Sequence, residues 1–394
     1  MKLGLCPESM PHQHDGHRLF LRLVGALILG LALLPLVFLG LQATTLLHTE
    51  ATAVFVRSDT WVAVLRTLAL GVGVALLCMG LSLPLAWLTH STDLPGRRFF
   101  QLSLNLPLAV PSYVSGFIVM ATLGHGGWLH ELLRPWGVEQ MPNIRGGVGA
   151  TLALLYSYPF ALLSLQATLH TLDPRLWEAA RSMGCSPWQA WRTVIVPQLR
   201  VPLLSGGLLI ALYTIGDFGA VSLLRYKSLS YIIYLRQESL SDVYRQESVF
   251  LALMLVAIAV VLVVASERVG GQVQQALSAQ SHGRPWPVVP LGRWRWPAFA
   301  LCSSVFGLGV ALPVLLVAGW LWRGVRLGHT IPMPTGAAVI TVVLGVLGAV
   351  LVMVVAAFPA LMARFGDRRA SRQVQLVAHV GYALPGIVVA LALL

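Results

Sequence analysis

The chain has 394 residues, of which 57% are hydrophobic and 11% charged, with a formal net charge of +12. Soluble chains carry about 25% charged residues, so this composition excludes a water-facing globular surface. The positive charge is dispersed among short segments between apolar blocks and does not imply nucleic-acid binding.

Nine apolar blocks are long enough to cross a bilayer as helix, which takes about 20 residues. They are 19–41, 61–88, 100–123, 147–170, 201–224, 249–266, 297–322, 336–363 and 374–394. None alternates as a transmembrane barrel strand would, and hydrocarbon demands that every backbone polar group be paired internally. The expected fold is therefore all-α and polytopic, with about nine transmembrane helices. The first block lacks the small-residue cleavage pattern of a secretory signal and is expected to be retained as a span. Before it, Cys6 faintly matches a lipid-attachment site, but no apolar stretch precedes it, and a tail cysteine is the plainer reading. His12, His14 and His17 resemble a metal-binding tract. Three histidines in a tail bind metal weakly, so incidental composition is preferred. Cys78, Cys185 and Cys302 are isolated and imply neither a disulfide framework nor a metal site.

With alternating loops, the segments on the side of the N-terminus hold fifteen Lys or Arg and those on the other side nine. This bias places the N-terminus in the cytoplasm. It is modest because the outside segment 225–248 carries Arg225, Lys227, Arg236 and Arg245. In the third block, Pro107 and Pro111 stand beside Asn105, Ser112 and Tyr113; they would break the helix and free carbonyls able to line a cavity. Tyr156, Ser157 and Tyr158 before Pro159 form a second polar cluster. Either cluster faces a pathway or serves plain helix packing, and Pro84 and Pro385 interrupt other spans. The outside segment His125–His130, with Leu132, Leu133 and Trp136, reads as a short interfacial helix anchored by its tryptophans.

Residues 173–197 form the one long inside loop with clear helix punctuation. Asp173 is an N-cap and Pro174 the first helical residue, where a missing N–H costs nothing. Leu176, Ala179, Ala180 and Met183 fall at i, i+3, i+4 and i+7 as one apolar face, and Gly184 is a suitable C-terminal stop. A second helix starts at Ser186, with Pro187 first and Gln189 three after the cap, a capping-box pattern. Trp188, Trp191 and Ile195 line its apolar face and Pro197 marks its end. Both helices are too short to be stable alone and must be ordered by packing.

Asp217 is the one acidic residue deep in a predicted span, flanked by Gly216 and Gly219, which permit close helix approach. An intramembrane carboxylate is costly and marks a functional candidate. It is either a polar point on a translocation path or, as the preferred reading, a carboxylate paired with a buried donor or a helix end nearer the interface. His379, in the last block, is read as a hydrogen-bonded core residue rather than a path residue. The polar, Gln-rich stretch 267–296 is a linker between residues 61–266 and an apparent repeat, 297–394, with 1–60 as tail, first span and outside loop. Thr67, Pro84 and Pro111 are echoed by Thr341, Pro359 and Pro385, and Pro95-Gly96-Arg97-Arg98 by Gly366-Asp367-Arg368-Arg369. Repeats in one direction joined by a cytoplasmic linker are a transporter signature. The second copy runs through three spans and is expected to be incomplete.

The segment Glu178-Ala179-Ala180, then Gly184, then Val194-Ile195-Val196-Pro197 resembles the coupling motif of binding-protein-dependent ABC importer permeases. That motif reads Glu-Ala-Ala, three residues, Gly, nine residues, Ile, one residue, Leu-Pro, with Val194 and Val196 here in place of Ile and Leu. Thr92-Asp93-Leu94-Pro95-Gly96-Arg97-Arg98, the Leu106–Val114 stretch, Gly216–Val221 and Gly381–Leu391 are similar to the fused, two-unit permeases of the ferric-iron type. The resemblance implies a type I importer permease fold in a bacterial inner membrane. It implies that Glu178, Ala179, Ala180, Gly184 and Pro197 couple to two copies of an ATP-binding subunit, and that a periplasmic solute-binding protein docks outside. The path candidates are Asp217, Pro107, Pro111 and Tyr113.

Lys2 and Lys227 are the only lysines and neither follows a glycine-rich turn, so a Walker-type phosphate loop is absent. No cofactor or metal is expected on this chain; ATP and Mg would be used by the separate ATPase. Ferric iron is the solute that the resemblance favours, with thiamine, polyamine, sulfate and phosphonate as alternatives. Readings from other classes are an ion-coupled secondary transporter using Asp217 and a non-transporting remnant of a larger permease. An intramembrane enzyme lacks a convincing Ser–His, paired-Asp or His-Glu-x-x-His constellation.

Overall fold

A computed structural model of the chain describes residues 27, 30, 33–277, 287–328, 335–365 and 384–393. Among them, regular structure is helical throughout except for one parallel bridge, Thr92 to Val289. Cys6, His12, His14, His17, the 366–369 turn and His379 lie outside the described residues. Two compact units are distinguished: one within Gln42–Gly328 and Ala383–Leu394, the other within Met1–Leu41 and His329–Tyr382.

In chain order the first helices are α1 (Leu33–Leu46), α2 (Ser58–Ser91), α3 (Arg97–Ser103), α4 (Ser112–Leu123) and α5 (Trp128–Leu133). Then come α6 (Gly147–Leu154), α7 (Pro159–Thr171), α8 (Pro174–Ser182), α9 (Pro187–Ala190), α10 (Val196–Gln198), α11 (Arg200–Gly216) and α12 (Gly219–Leu223). The last are α13 (Leu229–Gln237), α14 (Asp242–Leu277), α15 (Arg295–Phe306), α16 (Leu312–Arg326), α17 (Thr335–Phe365) and α18 (Gly386–Leu393). Five stretches are long and apolar enough to cross a membrane: Ser58–Ser91, Gly147–Thr171, Asp242–Ser266, Gly292–Arg326 and Thr335–Ala357. Counting each of two bent helix pairs as one span gives up to seven. These seven correspond to the seven middle blocks among the nine expected. The first and last blocks are described only in part, as α1 and α18.

Departures from straight spans have local causes. The third block turns by 97° between Arg97–Ala109 and Ser112–Trp136. There Pro111 adopts an extended backbone, φ −58° and ψ 144°, as the paired prolines predict. The block 201–224 is not one helix, because α11 stops at Gly216, Asp217 is extended, and α12 starts at Gly219. Two π-turns, Trp191–Ile195 and Gly307–Ala311, each end two residues before a proline, Pro197 and Pro313. A proline has no N–H for the carbonyl four residues back, and the wider turn is one way for the helix to absorb that loss. In α2, by contrast, Pro84 sits within an uninterrupted 34-residue helix.

α11 is the packing centre of the larger unit, in contact with α2, α7 and α14. Glycines bring the backbones together: a Cβ on Gly206 would lie 2.6 Å from the Ala161 Cα, and one on Gly71 would lie 3.0 Å from Ile215 Cγ1. Small residues serve membrane helices in this way because lipid supplies no hydrophobic drive between them. α14 continues to Leu277, eleven residues past the predicted end of its span at 266. At the far end of the expected linker, the Val289 N–H donates to the Ser91 carbonyl at 2.8 Å. The Leu291 N–H likewise donates to the Asp93 carboxylate at 2.8 Å. The sequence Thr92-Asp93 thus ties the start of the repeat to the end of α2. In the other unit, α17 is a 31-residue apolar helix with none of its span window buried.

Gly206→Ala must displace the Ala161 backbone and is expected to destabilise the chain by about 1–3 kcal/mol. Gly73→Ala, which meets nothing within 4 Å, is the matched control with no loss. Thermal unfolding of the detergent-solubilised chain compares the two.

Candidate functional site

The helix pair expected over 173–197 is present, and its ends are built as the residues dictate. The Asp173 carboxylate accepts from the Arg175 N–H at 2.9 Å, with Pro174 in the first turn of α8. Gly184, at φ +88°, ends α8: its N–H donates to the Arg181 carbonyl, and the Cys185 N–H reaches back to the Ala180 carbonyl. This paired arrangement is a Schellman stop, which needs a left-handed residue where glycine alone escapes a Cβ penalty. Ser186 and Gln189 form a reciprocal capping box at the start of α9. Pro197 does not end the second helix. The chain passes through the π-turn and α10 to Gln198, then bends by 58° into α11.

The apolar face read for α8 divides in two. Pro174, Trp177 and Ala180 are buried, while Leu176, Ala179 and Met183 are exposed, Met183 to 78%. The inward face is held by the membrane helices. Trp177, Ala180, Ala190, Trp191 and Ile195 belong to one buried cluster with Leu85, Leu88, Leu165 and Leu169 of α2 and α7. Trp87 of α2 stands 5.7 Å from the rings of both Trp188 and Trp191, within the range where aromatic pairs attract. Trp188 is half exposed rather than buried with Trp191. The sequence reading missed Trp177 and Trp87. Trp177 lies three residues before Ala180 and carries a helical-period signal, but Trp87 is one apolar residue among many in a long span. What remains outward is a small, apolar face of Leu176, Ala179 and Met183, with Glu178 and Gly184 also exposed.

Among the path candidates, the structure brings Asp217, Pro111 and Tyr113 together. A Cβ on Gly219 would lie 2.7 Å from Ser112 Oγ and 3.0 Å from the Tyr113 nitrogen, so the breaks in the two interrupted spans meet. Asp217 is buried and its carboxylate accepts from the Ala220 N–H at 3.0 Å. It also accepts from the Ser112 hydroxyl. The Ser230 hydroxyl donates to the Asp217 carbonyl at 2.7 Å. These bonds satisfy backbone groups that the breaks expose, as hydrocarbon surroundings require. Pro107 stands apart, lining an apolar cavity of about 370 Å³ with Ile118, Leu152, Tyr156 and Leu312. Tyr156 and Tyr158 donate to the Leu308 and Leu104 carbonyls at 2.9 and 2.6 Å, so their hydroxyls are spent on helix packing. Among the described residues no group of three His, Cys, Asp or Glu could hold a metal ion.

The family described as binding-protein-dependent transport system inner membrane component matches residues 79–278, which include the whole helix pair. The Fe(3+)-transport system permease protein FbpB 2 of Haemophilus influenzae is 29% identical over 303 residues, 76% of this chain and 56% of the relative. The sulfate transport system permease protein CysW of Synechocystis sp. is 30% identical over 46% of this chain and 66% of its own length. The molybdenum transport system permease protein ModB of Escherichia coli is 29% identical over 41% of this chain and 69% of its own. The chain thus spans a little over half the length of the iron-transport relative it matches.

The two faces of α8 give opposite expectations. Ala180→Leu overfills a buried contact and should cost about 1–3 kcal/mol, and Gly184→Ala about 1–2 kcal/mol for its left-handed backbone. Ala179→Leu, on the open face, should stay within about 0.5 kcal/mol of the parent. Unfolding midpoints of the three variants test the assignment.

Proposed function

The chain belongs to the binding-protein-dependent transport system inner membrane component family, and on that premise we propose that it is the membrane permease of an ATP-binding-cassette importer. The observation that carries the reading is the divided helix pair: one face is locked to α2 and α7, and the other offers Leu176, Ala179 and Met183 outward. A pair fixed to the spans on one side and open on the other is suited to receive a partner and pass on its movement. The partner is a separate ATP-binding subunit in two copies, using ATP and Mg, since this sequence carries no Walker-type lysine loop. Of its coupling residues, Glu178, Ala179 and Gly184 are exposed to meet it, while Ala180, buried on the inward face, and Pro197 would pass its movement to the spans. Movement of the pair passes through the tryptophan contacts to α2 and through the bend after Gln198 to α11, the centre of the bundle.

The outer end receives a periplasmic solute-binding protein, with the N-terminus in the cytoplasm and the chain in a bacterial inner membrane. Ferric iron is the proposed solute. Its support is the iron-transport relative, whose match over 303 residues extends beyond the region 79–278 common to the family. The sulfate and molybdenum relatives align over less than half of the chain. Residues 61–266 would form a first permease unit and 297–394 part of a second, joined by 267–296. The meeting of the two span breaks at Asp217, Pro111 and Tyr113 is the proposed polar point beside the pathway.

In cells carrying the full importer, Glu178→Arg should lower uptake at least about tenfold, a loss on the order of 1.4 kcal/mol of coupling, and reduce co-purification of the ATPase. Unchanged uptake together with unchanged association would remove the main support for this reading. Growth restored by iron and not by thiamine identifies the solute. Asp217→Asn keeps an oxygen to cap α12 and should leave thermal stability nearly unchanged. Uptake retained in that variant assigns Asp217 to holding the break, whereas uptake lost at equal stability assigns its charge to the path.

A further inference from the structure

At the end of α2 remote from the helix pair, a cleft of about 550 Å³ opens between α2, α13 and the start of α14. From Arg57 to Trp87, α2 rises about 45 Å, more than the hydrocarbon core of about 30 Å. The cleft therefore belongs to the opposite membrane surface from the coupling pair. Its charged lining is Arg57, Arg66, Lys227 and Arg236 against a single carboxylate, Asp59. Behind them Glu247 is fully buried and paired with both Arg57, at 3.2 Å, and Arg236. The two guanidiniums flank the Tyr244 ring, their carbons 5.5 and 5.2 Å from its centroid. Burial first, and the neighbouring Arg57 charge second, pull the Arg236 pKa below the ordinary arginine value. Glu247 and Asp59 thus offset two of the four cations. Among the described residues neither Arg66 nor Lys227 forms an ion pair, and two positive charges remain uncompensated in a concave site.

The position of Arg66 says what kind of group this excess meets. It lies on α2 one turn beyond Val62, on a stripe where Trp61, Val62, Leu65, Leu68 and Val72 are all exposed. These apolar residues face lipid, and Trp61, whose indole N–H donates to the Phe55 carbonyl at 2.9 Å, has the place of an interfacial anchor. A cation on such a stripe reaches toward the headgroup layer. Lys227 and Arg236 come from the loop side, so the cleft is cationic on its membrane flank and on its aqueous flank.

We propose that this cleft binds a phosphate-type oxyanion at the membrane surface, with Arg66 and Lys227 as the charges that bind it and the Arg57–Glu247–Arg236 cluster as its fixed floor. The oxyanion is either the headgroup of an acidic phospholipid or free inorganic phosphate; the chemistry is shared and the source is a matter for experiment. The site does not depend on which solute the permease carries.

The test uses the full chain and the double variant Arg66→Gln with Lys227→Gln. The control, Arg134→Gln with Arg145→Gln, removes the same charge from exposed residues outside the cleft. Retention of phosphatidylglycerol against phosphatidylcholine is read by native mass spectrometry. Binding of radiolabelled phosphate is read in nanodiscs made only of phosphatidylcholine. Two surface cations together are worth about a 30-fold change in affinity, so the cleft variant should lose binding by that factor while the control does not. Loss confined to phosphatidylglycerol assigns a headgroup, and loss of phosphate binding assigns the free ion. The exchange Arg66→Lys with Lys227→Arg should restore binding, which separates a charge role from misfolding. Equal binding by the parent and the cleft variant in both assays would overturn the proposal.

Discussion

Three tryptophans connect the parts of this molecule that its chemistry keeps separate. The helices of the pair α8 and α9 are too short to hold their own shape in water. Trp87, near the end of α2, meets Trp188 edge-on and Trp191 at a tilt, while Trp177 and Ala180 seal the inner side of α8. Without that contact the helix pair would be a loop tethered to the bundle rather than an element packed on it.

The same economy governs the interior. Where the spans break at Pro111 and Asp217, side chains and backbone groups of the two breaks meet one another. Asp217 caps α12 and is itself held by Ser112, the residue that follows the break at Pro111. Tyr156 and Tyr158 are given to carbonyls of α15–α16 and α3. Gly116 and Gly219 let α4 and α12 approach closely at the meeting of the two breaks. The breaks are therefore points of specific contact between helices, and two of them lie at one place in the bundle.

Much of this was legible beforehand because it is local chemistry. The caps at Asp173 and Ser186, the stop at Gly184 and the break at Pro111 each depend on residues within four positions of one another. The apolar face of α8 was read as one face when it is two, since periodicity marks apolar positions without saying which side a neighbour will cover. Likewise the span 201–224 read as continuous because Asp217 and Phe218 interrupt hydropathy too briefly to register. The cationic cleft was invisible for a different reason: Arg57, Arg66, Lys227 and Arg236 are separated by up to 179 positions.

The amino-acid sequence alone fixes that the chain lies in a membrane, that its backbone is helical, where the two short helices begin and where the first of them stops. Composition and hydrocarbon desolvation force the first two, and capping chemistry the third. Packing alone decided which tryptophans carry the helix pair, which face of α8 stays open, and that the two span breaks and the four scattered cations converge. Those outcomes depend on distances between residues far apart in the chain, and such distances exist only once the helices have packed.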